Sequence, residues 1–406
     1  MTDSIAGIVK ARYSDRVAHP PKLLKPADLP ENFTRSLYKI APYRGCAHGC
    51  RYCDGRAERY YVEGDFERDI VIRPDIPDRL AAELPNVRER GMIAFGSGVT
   101  DPYQPLEMQQ DITGSCARLL SDSRKPLPAL VMTKSSLALR DLGHWTSVNK
   151  RGGFVLLVSL TSLDEELREV MEPGASSFAS RLDMMRDFKK AGCVVGVLAM
   201  PLLPGLSDDE ASIRGLYSAC ADIGVDFVMP GGLTLRPGRQ KDFYLEALRR
   251  YRPDLLDATR ALYGEERPSG SPRASASREL FSRICPIRLE YSLPYLLPHK
   301  TFARFLPPHD SLRLLFQDML ELYSERGTDT SALVRSATSY DAWLLSLRRA
   351  FRHKRTLPDD WIEERFAEAT HNGEIDAVLH NERLFLFVSA ILRDGARLDY
   401  LTLKLG

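Results

Sequence analysis

Short apolar runs at 37–41, 92–95, 129–133, 154–159, 194–200 and 225–229 alternate with amphipathic stretches over residues 38–260. Runs of that length between helical patterns predict repeated βα units and a parallel sheet. Ser162-x-x-Glu165 and Ser207-x-x-Glu210 read as capping boxes that open helices. Glu172-Pro173-Gly174 stops one helix, and another runs from near Ser180 to Lys190 before Gly192. Six such units predict an α/β fold, an open, partial (β/α)6 TIM-type barrel. Active-site residues in such barrels sit at the carboxyl ends of the strands.

The flanks have other patterns. Residues 1–37 are polar and carry Pro20, Pro21, Pro26 and Pro30, which predicts an extended N-terminal arm. Residues 261–280 hold a Gly/Pro/Ser/Arg-rich stretch that buries little apolar surface and reads as a flexible linker. From 281 to 406 the pattern is mainly helical. Leu312, Leu315, Phe316, Met319, Leu322 and Tyr323 make one apolar face, and further helices are expected at 340–353, 359–370 and 375–393.

Composition narrows the function classes. The 406 residues are 44% hydrophobic and 27% charged, enough for a large core, and the net charge of +1 supplies no global field toward nucleic acid or membrane. The chain has no apolar run of about 18 residues, and its first residues lack the basic and apolar regions of a leader, so a cytoplasmic protein without a membrane partner is expected. Three of the seven cysteines cluster, which fits a reducing compartment better than a disulfide framework.

Those three are Cys46, Cys50 and Cys53, in Cys46-Ala-His-Gly-Cys50-Arg-Tyr-Cys53. Three thiolates from one short loop can take three corners of a [4Fe–4S] cube and leave the fourth iron open. Gly45 and Gly49 let the backbone turn tightly, and Tyr52 sets an aromatic ring between the last two thiols. The alternative is a zinc knuckle. Zinc would want a fourth Cys or His at a regular spacing, and His48 lies too close in sequence to close a tetrahedron.

C-x3-C-x-aromatic-C after a first strand resembles the signature of radical S-adenosylmethionine enzymes. Pro42 through Cys53, with Thr100-Asp101-Pro102-Tyr103-Gln104-Pro105-x-Glu107, resembles the branch similar to spore photoproduct lyase. The resemblance implies a partial barrel, a [4Fe–4S] cluster and S-adenosyl-L-methionine. It also implies an external one-electron reductant of flavodoxin or ferredoxin type. The expected activity is cleavage of the cofactor to a 5′-deoxyadenosyl radical that abstracts hydrogen from a substrate, with nucleic acid suggested by the branch. Modification of a peptide or small metabolite is the alternative. A non-catalytic iron–sulfur or zinc module that binds nucleic acid is a reading of another class.

The strand ends also offer candidate residues; the resemblance implies the roles of Thr100 or Asp101, Ser159, Thr161 and Arg181, and the residue types suggest the others. Thr100 or Asp101 would hold the methionine ammonium; otherwise Asp101 is a turn residue capping a helix. Gly96 and Gly98, around Ser97, would let a ligand approach the backbone closely. Lys134 would pair with a carboxylate or lie solvated. Ser159 and Thr161 would reach the ribose or carboxylate, or simply finish a strand. Arg181 resembles the family residue that clamps the cofactor carboxylate. Met200 would contact adenine or simply be core. Tyr103 and Glu107, in a proline-stiffened loop, would handle a proton or a radical.

One departure stands out: spore photoproduct lyases carry a hydrogen-donating cysteine just before the Thr-Asp pair, where this chain has Gly98-Val99. Cys116 reads as a small core residue. Arg348 to Arg355 concentrates basic residues that would contact phosphates or form a solvated helix end.

Overall fold

The computed structural model describes residues 22–60, 64–96 and 98–406, with the backbone of 10–13. Residues 1–9 and 14–21 of the expected arm therefore lie outside the described residues, as does Ser97. The strands are β1 (Lys10–Tyr13), β2 (Ser36–Ile40), β3 (Tyr43–Arg44), β4 (Asp69–Ile72), β5 (Met92–Phe95), β6 (Ala129–Thr133), β7 (Phe154–Ser159), β8 (Val194–Leu202) and β9 (Phe227–Gly232). Six make one sheet in the order β2-β5-β6-β7-β8-β9; β1, β4 and β3 make a small second sheet. The pairs β6–β7, β7–β8 and β8–β9 are parallel, with Val131 opposite Leu156, Leu157 opposite Gly196 and Val197 opposite Val228. Strand order follows chain order, as a chain of βα units requires. The fold is the expected partial barrel.

Every residue of β5 and β7 is buried, which is why these strands read as unbroken apolar runs. Helices pack on them: Trp145 stacks on Phe154 at 4.8 Å between centroids, Phe95 meets Trp145 edge-on, and Phe188 lies against Phe154. Strand β8 runs two residues past the expected 200, and its pairing with β9 shifts register between Ala199 and Leu202. Asp164 and Asp209 are the N-caps of helices Glu165–Met171 and Glu210–Ile223, in place of Ser162 and Ser207. The serines instead tie the loop just before the cap, with Ser162 Oγ accepting from Asp164 N.

The expected linker is half helix. Its helix breakers lie at 264–272, whereas Ala274–Glu290 is helical and buries Leu280, Ile284 and Ile287 on one face. The breaker half is also tied down: Leu235 N donates to Gly270 O (2.7 Å) and Arg236 Nη1 to Pro268 O (2.8 Å). The helix expected over 375–393 is two helices, Glu374–Leu379 and Glu382–Arg393. His380 takes φ +47°, and the Asn381 side chain caps the second.

The chain divides into two compact units. Ile40–Pro85 and Phe95–Tyr295 belong to one; Leu24–Lys39, Asn86–Ala94 and Leu296–Gly406 form the other. The second is held by two buried ion pairs, Arg35 with Asp318 (2.6 Å) and Arg348 with Asp310 (2.7 Å), and by a half-buried one, Arg352 with Glu89 (2.6 Å). Two cations of the basic run at 348–355 are thus committed to internal partners. Among the described residues no helix is long and apolar enough to cross a membrane.

Candidate active site

The cysteine loop follows β2 and β3, and its backbone is clamped from two sides. Gly45 and Gly49 have φ of +89° and +63°, a conformation that a β-carbon disfavours. On one side Thr100 Oγ1 (2.9 Å) and Gln104 Nε2 (3.2 Å) donate to Gly45 O, while Ala47 N donates to Gln104 Oε1 (2.8 Å). On the other side Gly174 N donates to His48 O (2.9 Å), and Arg51 N to Met171 O (2.9 Å). Gly174 approaches so closely that a β-carbon there would sit 2.3 Å from Ala47 O.

Asp101 is the third clamp. Its Oδ1 accepts from Tyr103 N and Thr133 Oγ1, its Oδ2 accepts from Lys134 N, each at 2.8 Å, and His48 Nε2 lies 3.1 Å from Oδ2. Burial alone would raise its carboxyl, but His48 and these donors hold it below the usual carboxylate range. An ionised carboxylate has about four acceptor positions, and three are taken by these hydrogen bonds. Asp101 ties the strand-end loops to the cysteine loop.

Cys46, Cys50 and Cys53 line one cavity of ≈350 Å³. Tyr52, Gly98, Thr100, Asp101, Lys134, Ser159 and Met200 line it as well, so most of the expected residues come together. Burial pushes all three thiols up, Cys50 to about 12 with Glu172 adding to the effect. Without a cation at the loop these sulfurs keep their protons; iron would supply the charge that makes them thiolates. Among the described residues no three His, Cys, Asp or Glu side chains converge as closely as one metal ion requires. The three thiols line one cavity from a tight, braced loop, and three thiolates are the ligand set of a [4Fe–4S] cluster with one open iron.

A buried carboxylate, Glu172, underlies this site. It accepts from Tyr52 OH and Arg181 Nη2 and from Thr161 Oγ1 (3.2 Å), with Lys134 Nζ 3.5 Å away. Despite burial, Lys134 and Arg181 pull its carboxyl down to about 2. Arg181 is fully buried, with further bonds from Nε to Ser176 O (2.9 Å) and from Nη1 to Ser159 O (3.0 Å), and does not line the cavity. Thr161 is likewise spent on Glu172 and is absent from the cavity lining.

Three other expected residues lie outside the cavity lining. Tyr103 is wholly buried, with its hydroxyl donating to Asp141 (2.8 Å) and accepting from Trp145 Nε1 (2.7 Å). Glu107 is wholly buried too; it accepts from Tyr43 OH, Arg140 and the backbone N–H groups of Ile112, Thr113 and Gly114, so it caps the helix Ile112–Asp122. Gly96 turns the chain at φ +102°, its β-position 3.0 Å from Met132 O, and does not border the cavity. Residues not anticipated do border it: His48, Phe66, Gly231, Gly232, Leu233 and Thr234. The glycine pair closing β9 was the available signal.

A braced three-cysteine loop at the strand ends of a partial barrel defines a cluster-binding barrel enzyme. The model of the Radical SAM superfamily matches residues 40–214, so this part of the chain is a Radical SAM domain. It is therefore an enzyme, and its cofactors are a [4Fe–4S] cluster and S-adenosylmethionine. The chain is 30% identical over 263 residues to uncharacterised proteins of Mycobacterium bovis and Mycobacterium tuberculosis, covering 63% of this chain and 75% of each relative. An uncharacterised protein of Acidianus two-tailed virus is 28% identical over 221 residues, half of this chain and 69% of the viral one. Among solved structures, a mutant spore photoproduct lyase with bound AdoMet and dinucleoside spore photoproduct is similar, with a TM-score of 0.50 at 17% identity. That match covers 67% of this chain and 78% of the other.

Proposed function

We propose that this chain abstracts a hydrogen atom from an organic substrate that meets the cofactor at the mouth of the cysteine-lined cavity. The cavity itself carries the reading. At ≈350 Å³ it lies near the lower end of small-molecule sites, about 300–1,000 Å³, so a cluster and its cofactor leave little space and a substrate approaches from outside. When bound, the cluster and S-adenosylmethionine supply reductive cleavage to methionine and a 5′-deoxyadenosyl radical.

The chain's own residues bind, orient and shield. Cys46, Cys50 and Cys53 hold three irons. Lys134 lines the cavity, with Nζ 5.5 Å from the centre of the Tyr52 ring, and serves the methionine carboxylate in place of Arg181. Met200, Pro201 and Gly231 form an apolar slot suited to adenine. Phe66, Met132 and Leu233 exclude water from the reacting atoms. Electrons come from an external one-electron reductant of flavodoxin or ferredoxin type, and the working compartment is the cytoplasm.

Nucleic acid as the substrate takes its support from the dinucleoside spore photoproduct named for the similar fold. Deuterium-labelled, ultraviolet-irradiated DNA tests it. Deuterium recovered in 5′-deoxyadenosine supports a nucleic-acid substrate. Unlabelled 5′-deoxyadenosine formed at the rate seen without DNA removes DNA and leaves the hydrogen-abstraction reading for other substrates.

A further inference from the structure

Glu172 lies behind the cavity wall formed by Tyr52 and Lys134: it is fully buried and meets both, yet does not border the cavity. It is the C-cap of helix Glu165–Met171, and two residues on, Gly174 N donates to His48 O (2.9 Å) in the cysteine loop. The Tyr52 hydroxyl donates to the same carboxylate, as does Thr161 Oγ1 from just beyond β7 (3.2 Å). The carboxylate is thus fixed between the cysteine loop and the strand ends, where a buried anion needs matching charge.

Two cations meet this one anion, and they are placed differently. Arg181 is fully enclosed: Nη2 donates to Glu172 Oε2, Nε to Ser176 O (2.9 Å) and Nη1 to Ser159 O (3.0 Å). Its charge faces Glu172, and no part of it reaches the cavity lining. Lys134 does reach the lining, with a side chain 16% exposed and Nζ 3.5 Å from Glu172 Oε1. That separation is longer than an N–H···O bond, about 2.7–3.2 Å, so the lysine is attracted to the carboxylate without being bonded to it. One anion against two cations leaves the trio with a surplus positive charge, carried by the group that faces the cavity. The carboxylates of the lining, Asp101 and Asp54, have partners of their own in His48 (3.1 Å) and Arg236 (2.6 Å). A surplus cation in a largely apolar wall is a point of attachment for a carboxylate.

We propose that Arg181 is a positioning residue for cofactor binding: by holding the Glu172 carboxylate it leaves the Lys134 ammonium available to the carboxylate of S-adenosylmethionine. The inference rests on the reading above, in which Lys134 serves that group, and adds what keeps the lysine available. Without the arginine charge, Glu172 has Lys134 as its one cation; the trio becomes neutral and the lysine is drawn away from the cavity. With both Glu172 and Arg181 made neutral, the positive charge on Lys134 is again unmatched.

The test is anaerobic equilibrium dialysis of two ligands against the cluster-reconstituted full chain. S-adenosylhomocysteine carries the amino-acid carboxylate; 5′-methylthioadenosine keeps the adenosine and thioether but lacks it. Arg181→Gln is expected to weaken S-adenosylhomocysteine about 10-fold and to leave 5′-methylthioadenosine within about 2-fold. The double variant Glu172→Gln/Arg181→Gln is expected to recover most of that loss, although it alters one more buried group. Equal weakening of both ligands in Arg181→Gln, binding unchanged there, or a double variant no better than the single one overturns the proposal. Circular dichroism and iron content check folding and loading. If Arg181→Gln does not fold or load, Arg181→Lys carries the test, since it keeps a cation beside Glu172 without the forked bonds to Ser159 O and Ser176 O. It is expected to retain the preference for S-adenosylhomocysteine, and loss of that preference in the folded variant overturns the proposal. Cleavage of S-adenosylmethionine by the unmodified chain is measured alongside. Its absence would strike the hydrogen-abstraction reading, whereas its presence with ligand preference untouched in Arg181→Gln would strike this inference alone.

Discussion

Glu107 and Cys116 lie on neighbouring elements, and both are spent on structure. Glu107 holds five donors while fully buried, and replacing one partner of a buried charged network costs several kcal/mol. Glu107→Gln is therefore expected to lower unfolding stability by about 3 kcal/mol in urea titrations, with cofactor cleavage per cluster-loaded chain unchanged. Loss of cleavage in folded, loaded Glu107→Gln would return the residue to the chemistry. Cys116 is fully buried and burial pushes its thiol up, so it stays protonated and away from the cavity. Cys116→Ala is expected to keep both the cluster and cleavage. What the sequence could not disclose at this scale was partnership. Arg181 has the right type and position for a clamp, but Glu172, nine residues earlier, already claims it.

Elements explain why some of the site was legible and some was not. Buried parallel strands are apolar on both faces, so β5, β6 and β7 could be placed from their runs alone. The small sheet was missed because β3 has two residues and β4 opens on the charged Asp69 and is only alternately buried. The Thr100–Glu107 segment stood out as text, but its work is mechanical: Thr100 and Gln104 hydrogen-bond the cysteine loop, and Asp101 lies 3.1 Å from His48 Nε2. The loop after helix Glu165–Met171 braces it from the other side, where Gly174 meets Ala47 and His48 backbone. Gly174→Ala must push that backbone aside. Iron and sulfide content after reconstitution are expected to fall well below the unmodified chain while far-UV dichroism stays the same; full loading would show that the brace is dispensable.

At the scale of the whole molecule, the unit containing Leu296–Gly406 carries a pH dependence of its own. His299 and His309 are buried, and burial lowers both from 6.5 to about 4. For His299, Arg397 and Arg35 add to that fall; for His309, Asp310 opposes it and Arg348 adds to it. Groups depressed in the folded state stay neutral there, so their contribution is intact above about 6.5 and is lost as pH falls toward 4. Each is expected to cost about 2 kcal/mol between pH 7 and pH 5, seen as a falling urea midpoint, and His309→Gln should remove about half of the slope. A midpoint constant over that range would contradict the burial.

The central claim is that the cysteine loop holds a cluster whose open iron receives S-adenosylmethionine. Anaerobic reconstitution with iron and sulfide, reduction with dithionite and chromatography of the products test it directly. The account predicts four irons per chain and 5′-deoxyadenosine formed from S-adenosylmethionine, with cluster and product both abolished in Cys50→Ala. A chain loaded with four irons that yields no 5′-deoxyadenosine would contradict it.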